Sequence, residues 1–211
     1  EKSISVSNIV NGTTRLQPVV LQIGTAAGTL AAIATRENIS PSQVSVRQVQ
    51  KAILDAGGYL LPYLDVPKTN KYFKTYQRIG ATGILKGEGR NVGWSNQTWL
   101  RTDTLLLSTE LDQLKEIYPN MTYQLPTDTV ALTINDAINM IENIAMTHDI
   151  EAENIKVLVN HILKDNKAIV YNNSKNITRG GFAILVDKIL NPFEYQDVSL
   201  QGKFIKKNNA L

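Results

Sequence analysis

Apolar residues recur at helical spacing in several short stretches of this chain, and proline, glycine or polar residues separate these stretches. A pair of glycines ends the clearest amphipathic face, which contains Val46, Val49, Ile53 and Leu54. The same spacing predicts further helices at 70–85, 105–118 and 151–163 and after Leu132 and Ile177. We therefore expect a mainly α fold of short helices arranged in helix-loop-helix repeats.

The longest apolar stretch lies near the N-terminus and carries no charge from Leu16 to Thr35. Arg15 and Arg36 flank it, and Pro18 suits a first helical turn, where its missing N–H would have no partner. Small residues form a stripe at helical spacing along it: Gly24, Ala27, Gly28, Ala31 and Ala32. Such a stripe lets another backbone or a flat ligand approach the helix closely.

Three interpretations of this segment compete. A membrane span needs about 20 mainly apolar residues, but Gln17, Gln22, Thr25 and Thr29 dilute this one, so we expect no membrane span. A signal peptide fits poorly, because fourteen mostly polar residues precede Arg15. From the residues alone, a buried helix in an ordinary core is favoured.

Two motifs stand close together in the same segment: Gly12-Thr13-Thr14-Arg15-Leu16-Gln17-Pro18 and Gly24-Thr25-Ala26-Ala27-Gly28. Together they resemble the C-terminal, flavin-contacting segment of bacterial FAD-dependent oxidoreductases, which has the form G-S-x-R-x-x-P followed by G-Q-A-A-G. In that family the helix start faces the flavin ring. A helix N-terminus offers unpaired N–H groups to an anion, and a reduced flavin is anionic.

The resemblance implies that Arg15, Leu16 and Gln17 lie near the isoalloxazine and that Gly24 and Gly28 allow close packing. It also implies an N-terminal FAD-binding domain, whose glycine fingerprint is not found in this sequence. We therefore expect a C-terminal piece of a longer protein, with FAD bound in the intact protein and none in this fragment.

A repeat is visible further along the chain. Leu132-Thr133-Ile134 and Ile177-Thr178-Arg179 each place a hydroxyl residue at a helix start, and Leu107-Ser108-Thr109 is a weaker third version. With the lead Asp65-Val66-Pro67, this plan resembles the S-layer homology repeat, in which a Thr-Arg pair helps to bind acidic cell-wall polysaccharide. Only Arg179 retains that arginine, so a scaffold role is favoured over binding.

The stretch from Gly87 to Asp103 is predicted to be a long polar loop that holds both tryptophans, Trp94 and Trp99. Exposed indoles could stack on a sugar or close over a flavin substrate. The favoured interpretation is structural: the loop covers the helices below, and the indole N–H groups donate to backbone carbonyls.

Composition narrows the functional classes. A net charge of +3 is too small to indicate nucleic-acid binding. The chain has no cysteine, which excludes disulfides and thiolate metal sites. The two histidines, His148 and His161, have no evident ligand partners, so we expect no metal site. No residue is assigned a catalytic role.

These observations give three predicted regions: a flavin-contacting segment (1–58), a repeat-like helical module (59–200) and a flexible tail (201–211). The chain is predicted to complete the flavin site of an oxidoreductase and to be inactive alone. The alternative is a cell-envelope or polysaccharide-binding module, with Arg179, Trp94 and Trp99 as candidate sugar contacts. The small-residue stripe makes a homodimer a hypothesis. A cell-envelope or secreted location is favoured over a cytoplasmic one.

Overall fold

The computed structural model describes residues 4–150, 155–165 and 175–205. The described chain is mainly helical and has one small antiparallel sheet, which confirms the predicted fold class. The elements are α1 (Asn8–Thr14), α2 (Gln17–Glu37), α3 (Val46–Asp55), α4 (Phe73–Thr82), β1 (Glu88–Val92), β2 (Ser95–Trp99), α5 (Asp112–Ile117), α6 (Ile134–Thr147), α7 (Ile155–Asp165), α8 (Arg179–Ile189) and α9 (Pro192–Tyr195). Short 3-10 turns span Pro41–Gln43 and Ser108–Glu110.

The chain divides into two compact units. Unit 1 contains Glu1–Tyr59 and Asp197–Leu211, and unit 2 contains Leu60–Gln196. The division after Tyr59 lies beside the boundary expected at residue 58. Residues 201–205 of the expected tail include a bridge between Val198 and Phe204, and residues 206–211 lie outside the described residues.

Unit 1 is built around the contact between α2 and α3. Its buried cluster contains Ile33, Ala34 and Val44, with Leu30 and Val49 packed against it. Ser45 caps α3 by accepting the backbone N–H groups of residues 47 and 48, and its hydroxyl also donates to Asp197 at 3.0 Å. The C-terminal end of α2 is therefore the part of this helix that packs into the core of unit 1.

Helix α8 lies at the centre of unit 2 and packs against α4, α6, α7 and α9. Nearly every residue in it is buried, including the carboxylate of Asp187. Arg78 Nε donates to one oxygen of this carboxylate at 2.8 Å, and Thr75 Oγ1 donates to the other at 2.8 Å. A buried carboxylate is costly unless it is paired and hydrogen-bonded, and here α4 supplies both.

Three predicted helix starts meet inside unit 2, at a feature we call the central junction. The backbone N–H of Leu106 donates to Ile177 O, Ile177 N–H donates to Leu132 O, and Leu132 N–H donates to Leu106 O, each at 2.9 Å. All three side chains are buried. The structure therefore joins the repeated segments through a closed cycle of backbone hydrogen bonds.

The predicted register of the weakest copy was wrong by one residue. The junction places Leu106, rather than Leu107, beside Leu132 and Ile177. Leu107 occupies the cap position that Thr133 and Thr178 hold, and its N–H donates to Glu110 Oε2 at 3.0 Å. Burial of Leu106 decides this register, because a shift of one residue would expose it.

The expectation of a loop from Gly87 to Asp103 was also wrong, because β1 and β2 form a hairpin there. Its register pairs Glu88 with Trp99 and Val92 with Ser95. Gly93 has a φ of 60° at the tight turn, a conformation that glycine adopts without steric cost. Every residue of β1 is exposed, so this hairpin lacks the alternating apolar face that would have predicted it.

The other predicted helices are present, but the one predicted at 105–118 is much shorter: α5 covers Asp112–Ile117, and the 3-10 turn Ser108–Glu110 precedes it. The predicted run of 16–35 is helix α2, and the predicted helix 70–85 is the shorter α4. Residues 151–154 of the predicted helix 151–163 lie outside the described residues, and α7 covers the rest. Helix α1 was not anticipated; Ser7 caps it by accepting the N–H of Val10 at 3.4 Å.

Candidate functional site

The first candidate site is the junction of α1 and α2 in unit 1. Arg15 ends α1, Leu16 precedes α2, and Gln17 begins α2; all three are exposed. No side chain caps α2, although Leu16 O accepts the N–H groups of Val19 and Val20 at 3.0 Å each. An uncapped helix start beside an exposed guanidinium is chemically suited to an anion.

The small-residue stripe of α2 is exposed within the described chain. A Cβ added to Gly24 or Gly28 would meet no other atom within 4 Å. The sequence interpretation of α2 as a buried core helix was therefore wrong for most of its length, because only its C-terminal end reaches the cluster around Ile33. The predicted flavin-facing residues thus share one exposed region of unit 1.

Helix α2 is also the one described helix that is long and apolar enough to cross a membrane. Its mean hydropathy is 1.4 over a window of which 11% is buried, and it lies near the N-terminus. Core helices of soluble proteins and signal sequences meet the same criterion, so length and hydropathy alone assign it no membrane role.

The second candidate site is an open cavity of about 750 Å³ in unit 2. Its charged lining contains four cations and two carboxylates: Lys86, Arg90, Arg101, Arg179, Glu88 and Glu110. Gly87 and Thr104 complete it. The size is typical of ligand cavities, and the excess of positive charge favours an anionic group over a neutral one.

Arg179 is the predicted sugar contact in this cavity, and the structure buries most of it. Its Nε donates to Leu100 O at 3.0 Å, its Nη2 donates to Lys86 O at 2.7 Å, and it forms an ion pair with Glu110. Burial lowers the pKa of Arg179 below its ordinary value. These contacts hold the turns on either side of the hairpin, so its first role is structural.

The two tryptophans have different surroundings. Trp94 is fully exposed at the hairpin turn, and the expectation that it covers the helices was wrong. Trp99 is half-buried; its indole N–H donates to Gln97 Oε1 at 3.1 Å rather than to a backbone carbonyl. The structure places Trp99 beside the cavity through Arg101, whose guanidinium lies 5.0 Å from the indole centroid.

Sequence reasoning missed Arg101, which the structure places in the cavity wall. Arg101 has a φ of 60°, in the left-handed region that residues with a side chain rarely adopt. Asp65 fixes this conformation, since its carboxylate accepts the N–H groups of Leu100 at 2.8 Å and of Arg101 at 2.7 Å. The motif Asp65-Val66-Pro67 was visible in the sequence, but its partner 36 residues away was not.

The comparisons with known proteins concern unit 1. Residues 1–53 match the family model described as FAD dependent oxidoreductase. This part of the chain is similar to that family. The matched residues contain all of α1 and α2 and most of α3. No curated protein and no solved structure matches the chain.

The flavin-oxidoreductase match and the exposed junction of α1 and α2 occupy the same residues. An FAD-binding protein needs groups that stabilise negative charge beside the flavin ring. The start of α2 and Arg15 are groups of that type, so the residues present fit this part of a flavin site. Among the residues that the structure describes, no group of three or more histidines and carboxylates could hold a metal ion.

Proposed function

We propose that residues 1–53 complete the flavin site of an FAD-dependent oxidoreductase, within a longer protein whose other residues bind most of the FAD. The observation that supports this most strongly is the family match over the segment whose helix start and small-residue stripe are exposed. In this proposal the chain is not catalytic alone.

Bound FAD would supply two-electron oxidation or reduction of a substrate. Arg15 and the N–H groups at the start of α2 would stabilise negative charge beside the ring, while Leu16 and Gln17 would lie near it. Gly24 and Gly28 would let the flavin-binding domain pack closely against α2, because no side chain extends from either residue. This packing would cover the exposed apolar surface of α2.

The test is FAD retention by the full-length gene product. Arg15→Ala should weaken FAD binding roughly threefold to tenfold, since it removes one charge-assisted contact. Arg36→Ala is the matched control, because Arg36 lies at the opposite end of α2 with its side chain exposed. A full-length protein that purifies without flavin and does not take up added FAD would contradict the proposal.

We also propose, as a second function, that unit 2 binds polysaccharide in the cell envelope or in a secreted protein. The observation that favours it is the positively charged cavity beside a hairpin whose tip exposes Trp94. An indole stacks on the apolar face of a sugar ring, and the amides of Asn91 and Asn96 on the same hairpin can bond its hydroxyls. The S-layer-like repeats would be the scaffold.

This second proposal is tested by pull-down of the full chain on insoluble polysaccharides. Trp94→Ala should reduce retention without altering the melting temperature, because the indole touches little of unit 2. If Trp94→Ala is retained on every polysaccharide as well as the unaltered chain is, the hairpin tip does not contribute to binding. Arg179→Ala is a poorer first variant, because Arg179 also holds two backbone carbonyls.

A further inference from the structure

The outer edge of β1 is the uncovered edge of the hairpin sheet. The sheet contains two strands in the order β1-β2. On its far side β2 is bridged by Tyr63, and Leu64 N–H donates to Thr98 O at 2.9 Å. Within the part of the chain that the structure describes, no bridge or backbone hydrogen bond reaches the opposite side of β1. This edge is therefore open to another strand.

The hairpin register shows which backbone groups this edge presents. In an antiparallel pair, directly opposed residues alternate between exchanging hydrogen bonds and pointing their N–H and C=O groups away from each other. Thr98 points its carbonyl at Leu64, away from β1, and Gly89 is the residue opposite Thr98. Gly89 therefore points its own N–H and C=O outward, and Asn91, two residues further, does the same. Each offers a donor and an acceptor to a further strand.

The surroundings of this edge allow a second backbone to approach. Every residue of β1 is exposed, and a Cβ added to Gly89 would meet no atom within 4 Å. Short edge strands that carry charged side chains are one means by which proteins avoid indiscriminate strand pairing. The charges of β1 therefore decide which strand can pair with it.

These charges are complementary to those of β1 in a second copy of the chain. A twofold axis through Gly89 would pair the two strands antiparallel and place Glu88 of each copy opposite Arg90 of the other. Opposite charges in directly opposed positions stabilise a strand pair, whereas like charges destabilise it. An axis through Arg90 would oppose two arginines. An axis through Asn91 would place Arg90 opposite Val92 and leave the charges unmatched.

Glu88 can accept this additional contact. Its carboxylate already accepts Arg90 Nε at 2.6 Å and Arg101 Nε at 3.1 Å within its own chain. Each carboxylate oxygen has a further acceptor site, and the side chains of Glu88 and Arg90 are 46% and 50% exposed. A guanidinium from a second copy can therefore join without breaking either pair.

Pairing would also stabilise the hairpin itself. A two-stranded sheet is marginal in water unless one face packs against other parts of the protein, and β1 has no buried residue. A second copy would extend the sheet to four strands. Val92, which is 51% exposed, would lie opposite Lys86 of the other copy, whose aliphatic stem packs on apolar surface. Because the contact is short, we expect a weak dimer with a Kd of about 10–100 µM.

We propose that the outer edge of β1 is a homodimer interface, in which two copies pair antiparallel about Gly89 and Glu88 of each copy meets Arg90 of the other. The partner is a second copy because this strand is complementary to itself. The interface lies on unit 2, rather than on the small-residue stripe of α2. Flavin and polysaccharide binding are independent of it, because neither uses the backbone edge of β1.

Sedimentation velocity of the full chain from about 5 to 500 µM tests this interface. The unaltered chain should pass from monomer to dimer across this range. Glu88→Arg should raise the dissociation constant at least about tenfold, because the twofold axis places like charges opposite each other at two positions. Arg90→Glu should have the same effect for the same reason.

An equimolar mixture of Glu88→Arg and Arg90→Glu is the sharpest arm of this experiment. One variant carries two cations at these positions and the other carries two carboxylates, so each opposed pair in a mixed dimer again joins opposite charges. The mixture should associate at least as tightly as the unaltered chain. The indole N–H of Trp99, which donates to Gln97, reports an intact hairpin by NMR. A mixture that stays monomeric with both hairpins intact overturns the proposal.

Gly89→Pro tests the backbone without altering any charge. The N–H that proline removes points away from β2, so the hairpin keeps its own hydrogen bonds while pairing across Gly89 is blocked. This variant should be monomeric at every concentration. Gly89→Ala is the matched control and should dimerise as the unaltered chain does, because its methyl group meets no atom within 4 Å. A dimer that survives Gly89→Pro overturns the proposal.

Two further outcomes would also overturn it. The first is an unaltered chain that remains monomeric up to about 500 µM. The second is a dimer that is lost in Gly28→Leu, on the exposed stripe of α2, and persists in Gly89→Pro. That second pattern would assign dimerisation to α2 instead of β1.

Discussion

Asp187 shows how a single carboxylate can hold two helices of unit 2 together. Its side chain is almost completely buried in α8, and its partners, Arg78 and Thr75, come from α4. A paired carboxylate in this position is not strong evidence of net stabilisation. Removal of its charge, however, breaks an ion pair with a partly buried guanidinium, which is costly.

We therefore expect Asp187→Asn to lower the free energy of unfolding by about 2–4 kcal/mol, since the amide loses the charge that pairs with Arg78 and presents a donor to another donor. Urea unfolding at neutral pH measures the change. Asp103→Asn, at an exposed site, should change the same quantity by less than about 0.5 kcal/mol. Equal effects of the two variants would contradict this role of Asp187.

Tyr63 gives the fold a dependence on alkaline pH. Burial raises the pKa of Tyr63 to about 12 from an ordinary value of 10.0. The stabilising contribution is fully present below about pH 10 and is lost as the pH rises to about 12, because over this window the unfolded chain releases a proton that the folded chain retains.

The expected consequence is that unit 2 loses about 1–2 kcal/mol of unfolding free energy through Tyr63 between these pH values. Tyr63→Phe should make the decline shallower, as measured by urea unfolding at a series of alkaline pH values. Tyr59→Phe, which alters a more exposed phenol, is the control and should keep the original slope. An unchanged slope in Tyr63→Phe would show that this phenol does not titrate as described.

At the scale of elements, the start of α8 depends on close contact with the segment after β2. Thr178 caps the helix by accepting Gly181 N–H, and Gly180 N–H donates to Thr102 O at 2.8 Å. A Cβ on Gly180 would lie 2.7 Å from that same carbonyl oxygen and 3.0 Å from the phenol oxygen of Tyr76. Since one of these atoms belongs to the backbone, the space cannot open by a side-chain movement alone.

Gly180→Ala should therefore destabilise unit 2 by about 1–3 kcal/mol, although alanine favours a helix more than glycine does. Thermal unfolding gives the comparison. Gly89→Ala on β1 is the control, because its added methyl group would meet no atom within 4 Å. A Gly180→Ala variant with an unchanged or higher melting temperature would mean that the segment after β2 moves away from α8.

The hairpin and the helices differ in how far sequence reasoning could predict them. Helix α2 was predictable because small residues recur at helical spacing through an uncharged run, with a proline in its first turn. In contrast, β1 and β2 consist mostly of polar residues and have no buried face, so only the glycine before Trp94 indicated a turn. The left-handed backbone of Arg101 was beyond local pattern, because Asp65 imposes it from a distant part of the chain.

At the scale of the whole molecule, the flavin proposal makes opposite predictions for the chain alone and for the longer protein. Gly28→Ala should raise the unfolding free energy of unit 1 by about 0.5–1 kcal/mol, since an exposed glycine within a helix is unfavourable. In the proposed longer protein the same methyl group should hinder packing against α2 and reduce the FAD retained.

Thermal unfolding of the chain and the flavin absorbance of the purified full-length protein measure these two effects. If Gly28→Ala stabilises the chain and leaves FAD retention unchanged, the stripe is not a contact surface of the flavin-binding domain.

Sedimentation of the chain at several concentrations addresses the remaining hypothesis of a homodimer, and a strictly monomeric species would count against it.

The central junction also limits how many such segments can join. Leu106, Leu132 and Ile177 each donate a backbone N–H to one of the other two residues and accept one from the other, so the cycle is complete with three members. A solenoid leaves an open end on which another repeat can stack, whereas here each of the three N–H groups already donates to a carbonyl of the same cycle. An added segment could enter this cycle only by breaking one of its three hydrogen bonds, and loss of one segment would leave the other two joined by a single hydrogen bond.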